Sequence, residues 1–224
     1  MTIRLLPPTL VNRIAAGEVV ERPSAAVKEL VENAIDAGAR RIDVTLRDGG
    51  CSLIAVEDDG HGMAPAALEL AVERHATSKL PGDDLVNIQH LGFRGEALPS
   101  IGAVSRLTLT SRVPGSDGAW KITAEGGEKS GPLPAAHPGG TRVEVQDLFY
   151  ATPARLKFLK QPRTEQGYVT DMVSRLAMAH PEIGFTVTSQ LDDGGTRGLV
   201  NLSPELDASS DARLARIGSV LGRD

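Results

Sequence analysis

The stretch from residue 22 to residue 56 constrains the fold more than any other part of the chain. Five of its apolar residues recur at i, i+3, i+4, i+7 and i+8, the stripe of a helix that packs on a core. They are Val27, Leu30, Val31, Ala34 and Ile35. Pro23 stands near the predicted helix start and Gly38 at its end. Alternating apolar residues on either side of Gly49 and Gly50 then predict a β-hairpin.

The remaining elements are predicted to be short and separated by turns. Helices are predicted at 9–16, 65–73, 95–101 and 164–179, and strands at 104–112, 119–124, 141–147 and 183–189. Residues 125–140 hold five glycines and three prolines, which predicts a mobile connection. The order of elements predicts an α+β fold, a two-layer sandwich with helices on one face of a mixed, mostly antiparallel sheet. Residues 1–203 are predicted to form one domain, and a fresh helical pattern predicts that 204–224 begin a second.

Composition narrows the classes of function. The chain carries 24 Lys and Arg against 29 Asp and Glu, a net charge of −5, so any nucleic-acid contact must be local. Aromatic residues make up only 3%, which argues against a base-stacking platform. Cys51 is the only cysteine, which excludes an internal disulfide and fits a reducing, cytoplasmic compartment. No apolar run approaches the roughly 20 residues of a membrane span.

The helix predicted around residues 24–37 carries a polar face opposite its apolar stripe. Glu29, Asn33 and Asp36 share this face at i, i+4 and i+7. Such a face is often only solvated. Alternatively, a carboxylate general base lies beside an amide oxygen that ligates a hard cation such as Mg²⁺.

An acidic, glycine-rich turn follows the second strand of the hairpin. Asp58 stands at the strand end, where a carboxylate can accept a hydrogen bond from an exocyclic amine. Gly60 and Gly62 permit a close backbone approach or a positive φ beside it. A plain acidic turn is the simpler interpretation. Calcium binding is another, although the spacing of an EF-hand loop is absent.

Two further segments carry groups that suit phosphates. Gly92 and Gly95 precede a predicted helix and would expose backbone N–H groups to an anion, unless they form only a loop-to-helix entry. Residues 74–79 hold donors that could fold over a phosphate. Residues 151–163 form a basic run without any acidic residue, either a solvated face or a contact for a nucleic-acid backbone. Its charged members are Arg155, Lys157, Lys160 and Arg163.

Taken in order, these motifs resemble a known nucleotide site. Residues 29–33, 58–62, 92–96 and 140–141 are similar to the motifs of the ATPase family shared by the DNA gyrase B subunit, a heat-shock chaperone, bacterial histidine kinases and MutL proteins. The stretches at 14–39, 74–80, 91–98 and 147–159 resemble more specifically the N-terminal ATPase region of the MutL family of DNA mismatch-repair proteins. A histidine-kinase head would normally lack residues 14–28 and 147–159. A partner-binding relative without hydrolysis is disfavoured by the presence of Glu29 and Asn33.

The resemblance implies a role for each matching residue. It implies that Glu29 is the general base, that Asn33 is the magnesium ligand, and that Asp58, Gly62 and Thr141 form the adenine pocket. The residues implied to surround the phosphates are Thr77, Ser78, Lys79, Gly92, Phe93, Arg94, Gly95, Glu96, Ala97 and Leu98.

The resemblance also implies an activity with its cofactors and partners. It implies a Mg²⁺-dependent ATPase whose helices enclose the ATP, and a homodimer clamp that closes through ATP-dependent association of the N-terminal heads. The clamp would couple a mismatch-recognition protein to downstream repair enzymes and bind DNA weakly, in the bacterial cytoplasm and away from membranes. A second domain would supply a lysine to the terminal phosphate, so this chain alone is expected to hydrolyse ATP slowly.

Overall fold

The computed structural model describes residues 5–76, 95–205 and 209–222. The helices are α1 (Pro8–Val19), α2 (Pro23–Asp36), α3 (Pro65–Ala71), α4 (Ala97–Val104), α5 (Pro162–Ala179) and α6 (Ser210–Leu221). The strands are β1 (Arg41–Arg47), β2 (Leu53–Asp58), β3 (Arg106–Arg112), β4 (Ala119–Glu125), β5 (Glu128–Ala135), β6 (Gly140–Gln146), β7 (Gly184–Gln190) and β8 (Thr196–Leu202). Two short 3₁₀ turns lie at Asp48–Gly50 and Pro153–Phe158.

The described strands form one sheet of eight, in the order β5-β4-β3-β6-β2-β1-β7-β8. The β1–β7 pair is parallel and the other neighbouring pairs are antiparallel. The predicted hairpin is β1–β2, in which Val44 lies opposite Val56. The sequence prediction of an α+β fold with a mixed, mostly antiparallel sheet is confirmed.

The core lies between one face of this sheet and the helices. Alternate residues of β1, such as Ile42 and Val44, are almost completely buried on the core face of the sheet. Thr45, which follows Val44, is half-buried on the opposite face. The α2 stripe reaches the same core through Val27 and Leu30. At the end of β2, the alternation also turns Asp58 toward the helical layer, so a carboxylate lies at the rim of an apolar core.

Two strands were missed in the sequence, and one prediction is wrong. Residues Glu128–Ala135 form the edge strand β5 and not a mobile connection. An edge strand needs backbone donors on one side only, so it accommodates prolines such as Pro132 and Pro134 that an inner strand excludes. Strand β8 was also missed, because it lies at the opposite edge and its first three residues are exposed.

Helix α6 is attached to the rest of the structure through a buried cation. Arg216 is fully buried, and its guanidinium donates to the carbonyl oxygens of Ala177, Pro181, Ile183 and Ser203 at 2.7–3.2 Å. The predicted domain division after residue 203 stays a prediction. Within the described ranges, no helix is both long enough and apolar enough to cross a membrane.

Candidate functional site

Helix α2 presents the first part of the site. Glu29 and Asn33 both lie on its partly exposed side, one helical turn apart, and the Glu29 side chain is 29% exposed. Lys28 Nζ lies 3.9 Å from Glu29 Oε1 but only 2.7 Å from Glu32 Oε1. Because Glu32 is almost fully buried, the closer contact anchors the lysine beside Glu32 and leaves Glu29 as the more accessible carboxylate of the two.

The second part of the site is the turn after β2, which rests on the end of α2. The His61 N–H donates to the carbonyl oxygen of Ala37 at 3.0 Å. A Cβ added at Gly60 would lie only 2.7 Å from the same oxygen, so a side chain there would push the turn away from α2. These contacts hold the acidic turn against the C-terminal end of α2, the helix that carries Glu29 and Asn33.

Asp58 is the buried carboxylate of this turn, with only 8% of the residue exposed. Burial raises the pKa of the Asp58 carboxyl from its ordinary value of 3.8 to about 6, because the charged form loses hydration. Hydrogen bonds from the backbone N–H groups of Gly60 and Thr141 oppose this pKa rise. The Gly60 N–H lies 2.9 Å from Asp58 Oδ1. Asp58 is therefore a carboxylate that becomes ionised only near neutral pH.

Its neighbour Asp59 has a structural role, and the sequence pattern alone did not distinguish the two carboxylates. Asp59 is exposed, and its Oδ1 accepts hydrogen bonds from the backbone N–H groups of Arg40 and Arg41 at 2.7 and 2.9 Å. Asp59 thus holds the start of β1 against the turn. Of the two adjacent carboxylates, only Asp58 lies toward the core.

Two glycines allow the backbone to pack closely around Asp58. Gly62 has a φ of +65°, and a Cβ there would overlap the carbonyl oxygen of Arg112. Gly140 has a φ of +84°, and a Cβ there would overlap the carbonyl oxygen of Asp58. L side chains rarely adopt this conformation, so glycine is required at both positions. Of the two possibilities that the sequence left open for Gly60 and Gly62, Gly62 has the positive φ and both glycines have the close backbone approach.

Thr141 lies beside Asp58 on β6 and belongs to a hydroxyl network that the sequence analysis missed. Its Oγ1 lies 2.9 Å from Oγ of Ser111, which is fully buried. Leu107 and Leu109 precede Ser111 at alternate inward positions of β3. A serine at the next inward position of this alternation was the sequence signal that a hydroxyl lies in the core. A hydroxyl at a core position requires hydrogen-bond partners, which here are the Met63 N–H, the Gly140 carbonyl oxygen and the Thr141 hydroxyl.

The predicted phosphate segment is described only in part. Gly95 has a φ of +60°, and a Cβ there would lie 2.5 Å from the carbonyl oxygen of Ala76. His75 Nδ1 lies 3.7 Å from an oxygen of Glu96, the residue before α4, which begins with Ala97 and Leu98. The structure thus brings residues 75–76 against residues 95–96. The predicted phosphate residues outside the described ranges are Thr77, Ser78, Lys79, Gly92, Phe93 and Arg94.

The basic run does not form a uniformly solvated face. Arg155 packs its guanidinium against Gly17 of α1, where a Cβ would overlap it. Lys157, Lys160 and Arg163 are exposed around the 3₁₀ turn and the start of α5. Three exposed cations and one packed cation therefore remain as a candidate contact for DNA.

Comparison with known proteins agrees with this geometry. A family model described as "Histidine kinase-, DNA gyrase B-, and HSP90-like ATPase" matches residues 21–132, half of the chain. The fold and the site thus define an ATPase of this class. The DNA mismatch repair proteins MutL of Rhodospirillum rubrum and Paramagnetospirillum magneticum are 68% and 66% identical over all 224 residues.

Solved structures narrow the class further. The Aquifex aeolicus MutL ATPase domain complexed with ADP matches with a TM-score of 0.72 and 32% identity, over 91% of this chain and 70% of that one. The N-terminal domain of a DNA repair protein matches with a TM-score of 0.76 and 30% identity, over 95% of this chain and 60% of that one. The chain belongs to the MutL family and corresponds to its N-terminal ATP-binding region. It spans about a third of the length of the curated relatives, 35% and 36% of the two above.

Proposed function

We propose that this chain binds ATP with Mg²⁺ between α2 and the turn after β2, and that it hydrolyses ATP with Glu29 as general base. The observation that carries the proposal is the buried Asp58 carboxylate, at the start of a turn that is hydrogen-bonded to the C-terminal end of α2. The ADP named in the solved MutL ATPase structure supports a nucleotide as the ligand.

The adenine end is assigned to Asp58, Gly62 and Thr141. An ionised Asp58 would accept a hydrogen bond from the exocyclic amine of adenine. Glycine at position 62 allows the positive φ and the close packing of the turn beside Asp58, and Thr141 adds a hydroxyl beside the carboxylate. The raised pKa of Asp58 supports a site that is dehydrated before the base enters.

The phosphate end is assigned to the polar face of α2 and to the segments around residues 77–79 and 92–98. The Asn33 amide oxygen fits Mg²⁺, which prefers oxygen ligands and is often held by one or two protein groups together with substrate phosphates. When bound, Mg²⁺ would neutralise charge on the phosphate oxygens. Glu29, one turn away, would orient the attacking water and accept its proton on a carboxylate oxygen.

In the longer protein, we propose that ATP binding drives dimerisation of two such heads. The resulting clamp would couple a mismatch-recognition protein to downstream repair enzymes and bind DNA weakly through the basic run. A lysine from a following domain would complete the phosphate site, which predicts slow hydrolysis by residues 1–224 alone. Turnover by this chain equal to that of a chain extended by the next domain would contradict this part of the proposal.

Glu29→Gln in the extended chain tests the catalytic assignment. We expect ATP binding to stay within about threefold of wild type, while hydrolysis falls by about 10²–10⁴-fold, the usual contribution of a positioned general base. Binding is measured by calorimetry and hydrolysis in single turnover. Glu69→Gln, an exposed carboxylate on α3, is the matched control. A normal rate for Glu29→Gln would show that another group activates the water.

A further inference from the structure

Ser111 connects three backbone segments of the proposed adenine pocket, although no nucleotide motif includes it. It is fully buried on β3. The Met63 N–H donates to Ser111 Oγ at 2.8 Å, and Ser111 Oγ donates to the carbonyl oxygen of Gly140 at 3.0 Å. The third partner is Thr141 Oγ1 at 2.9 Å. One side chain thus joins the residue after Gly62 to the Gly140–Thr141 turn.

The number of hydrogen atoms determines the direction of each bond. A serine hydroxyl carries one hydrogen and two acceptor lone pairs. The Gly140 carbonyl can only accept, so it takes the Ser111 hydrogen. The hydrogen shared by the two hydroxyls must then come from Thr141. Ser111 accepts from Met63 and Thr141 and donates once, which satisfies its full hydrogen-bonding capacity.

We propose that Ser111 is a positioning residue for nucleotide selectivity, because it fixes the Thr141 hydroxyl as a hydrogen-bond acceptor toward the base. The Thr141 hydrogen points to Ser111, so only its lone pairs remain for a ligand. Asp58 and Thr141 are paired across β2 and β6. The pocket would therefore present two adjacent acceptors, which suit the two N–H groups of an adenine amine, directly or through a water.

A base with a carbonyl group at the same position would be rejected. Hypoxanthine has an oxygen acceptor in place of the amine of adenine, and it would face the acceptors of Asp58 and Thr141 without a hydrogen between them. Without Ser111, the Thr141 hydroxyl can rotate and donate to that oxygen. The inference rests on the proposed function, because it requires the base to bind beside Asp58.

The test compares ADP with IDP, since neither nucleotide is consumed by ATP hydrolysis. We expect Ser111→Ala to reduce the preference for ADP over IDP by about three- to tenfold, the scale of one neutral hydrogen bond. Thr141→Val should reduce this preference to a similar degree. In the Thr141→Val background, Ser111→Ala should cause no further loss, because Ser111 acts through that hydroxyl. Ser189→Ala, a buried serine on β7, is the matched control and should keep the preference.

The following results would contradict the role proposed for Ser111 or the adenine site on which it rests. Equal weakening of ADP and IDP by Ser111→Ala would mean that Ser111 only supports the backbone, and an additive double mutant would mean that it does not act through Thr141. If Ser111→Ala does not fold, Ser111→Cys provides the same comparison, because a thiol is a weak donor and acceptor of similar shape. Loss of the preference in Asp58→Ala but not in the Ser111 variants would overturn this inference alone. An unchanged preference in Asp58→Ala would instead overturn the adenine site itself.

Discussion

Replacing Asp58 with asparagine should stabilise the nucleotide-free chain at neutral pH while it removes the group proposed to recognise adenine. Asp58 is only 8% exposed and burial raises its pKa to about 6, so at pH 8 the folded protein holds a poorly hydrated carboxylate. Asparagine has a similar shape, and its side-chain oxygen can still accept the hydrogen bond from the Gly60 N–H, whereas its amide nitrogen cannot accept the bond from the Thr141 N–H. The substitution therefore removes the charge and keeps most of the local contacts.

The magnitude follows from the difference between the folded pKa of about 6 and the ordinary pKa of 3.8. The folded state binds the proton more tightly, so the free energy of unfolding decreases as pH rises from about 4 to about 6 and is constant above that range. A difference of about two pKa units corresponds to ~3 kcal/mol. We therefore expect Asp58→Asn to raise the free energy of unfolding by about 2–3 kcal/mol at pH 8 and by less than ~1 kcal/mol at pH 4.

Urea unfolding of both proteins at pH 8 and pH 4 measures this difference. Asp59→Asn is the matched control, because the Asp59 carboxylate is exposed and accepts two backbone N–H bonds. No gain of stability is expected from the control at pH 8. An equal gain for Asp58→Asn at both pH values, or a loss at pH 8, would refute the argument that the buried charge destabilises the free protein.

Two single substitutions and one set of substitutions test the other assignments. Asn33→Ala should bind ATP with an affinity that no longer responds to added Mg²⁺, and a normal Mg²⁺ response in calorimetry would exclude Asn33 as a ligand. Gly62→Ala should lower both the melting temperature and the affinity for ADP. The added Cβ would overlap the Arg112 carbonyl, and a φ of +65° strains an L residue by about 1–2 kcal/mol. Wild-type values of both quantities would contradict the close packing at Gly62. Neutral substitutions in the basic run should weaken DNA binding by the longer protein and lower the log–log salt slope by about 0.9 for each lost phosphate contact. An unchanged slope would mean that these cations are merely solvated. The substituted residues are Arg155, Lys157, Lys160 and Arg163.

Local patterns in the sequence were sufficient for α2, for the β1–β2 hairpin and for the glycines of the turn after β2. Helical periodicity placed Val27 and Leu30 on a buried stripe, and it therefore placed Glu29 and Asn33 on the other side. The positive φ of Gly62 was also predictable, because glycine is the residue that adopts this conformation without strain. These features depend on interactions within a few residues, so they can be recognised without the fold.

The strands at the two sheet edges could not be recognised in the same way. Strand β5 contains Pro132 and Pro134 and buries none of its side chains, so its pattern resembles a loop. It becomes a strand because β4 offers a free row of backbone donors and acceptors. The parallel pairing of β1 with β7 likewise joins residues more than 140 positions apart, such as Asp43 and Thr186.

The sequence by itself indicated Glu29, Asn33 and Asp58 as candidates, through their residue types and spacing and through the resemblance of their motifs to a known ATPase family. Only the tertiary structure decided the state of these groups. Asp58 has a raised pKa because the folded chain removes water from it, whereas Asp59 next to it stays exposed. Ser111 lies beside Thr141 because β3 and β6 are paired. Burial and hydrogen-bond direction depend on neighbours that are distant in the chain, so they exist only after folding.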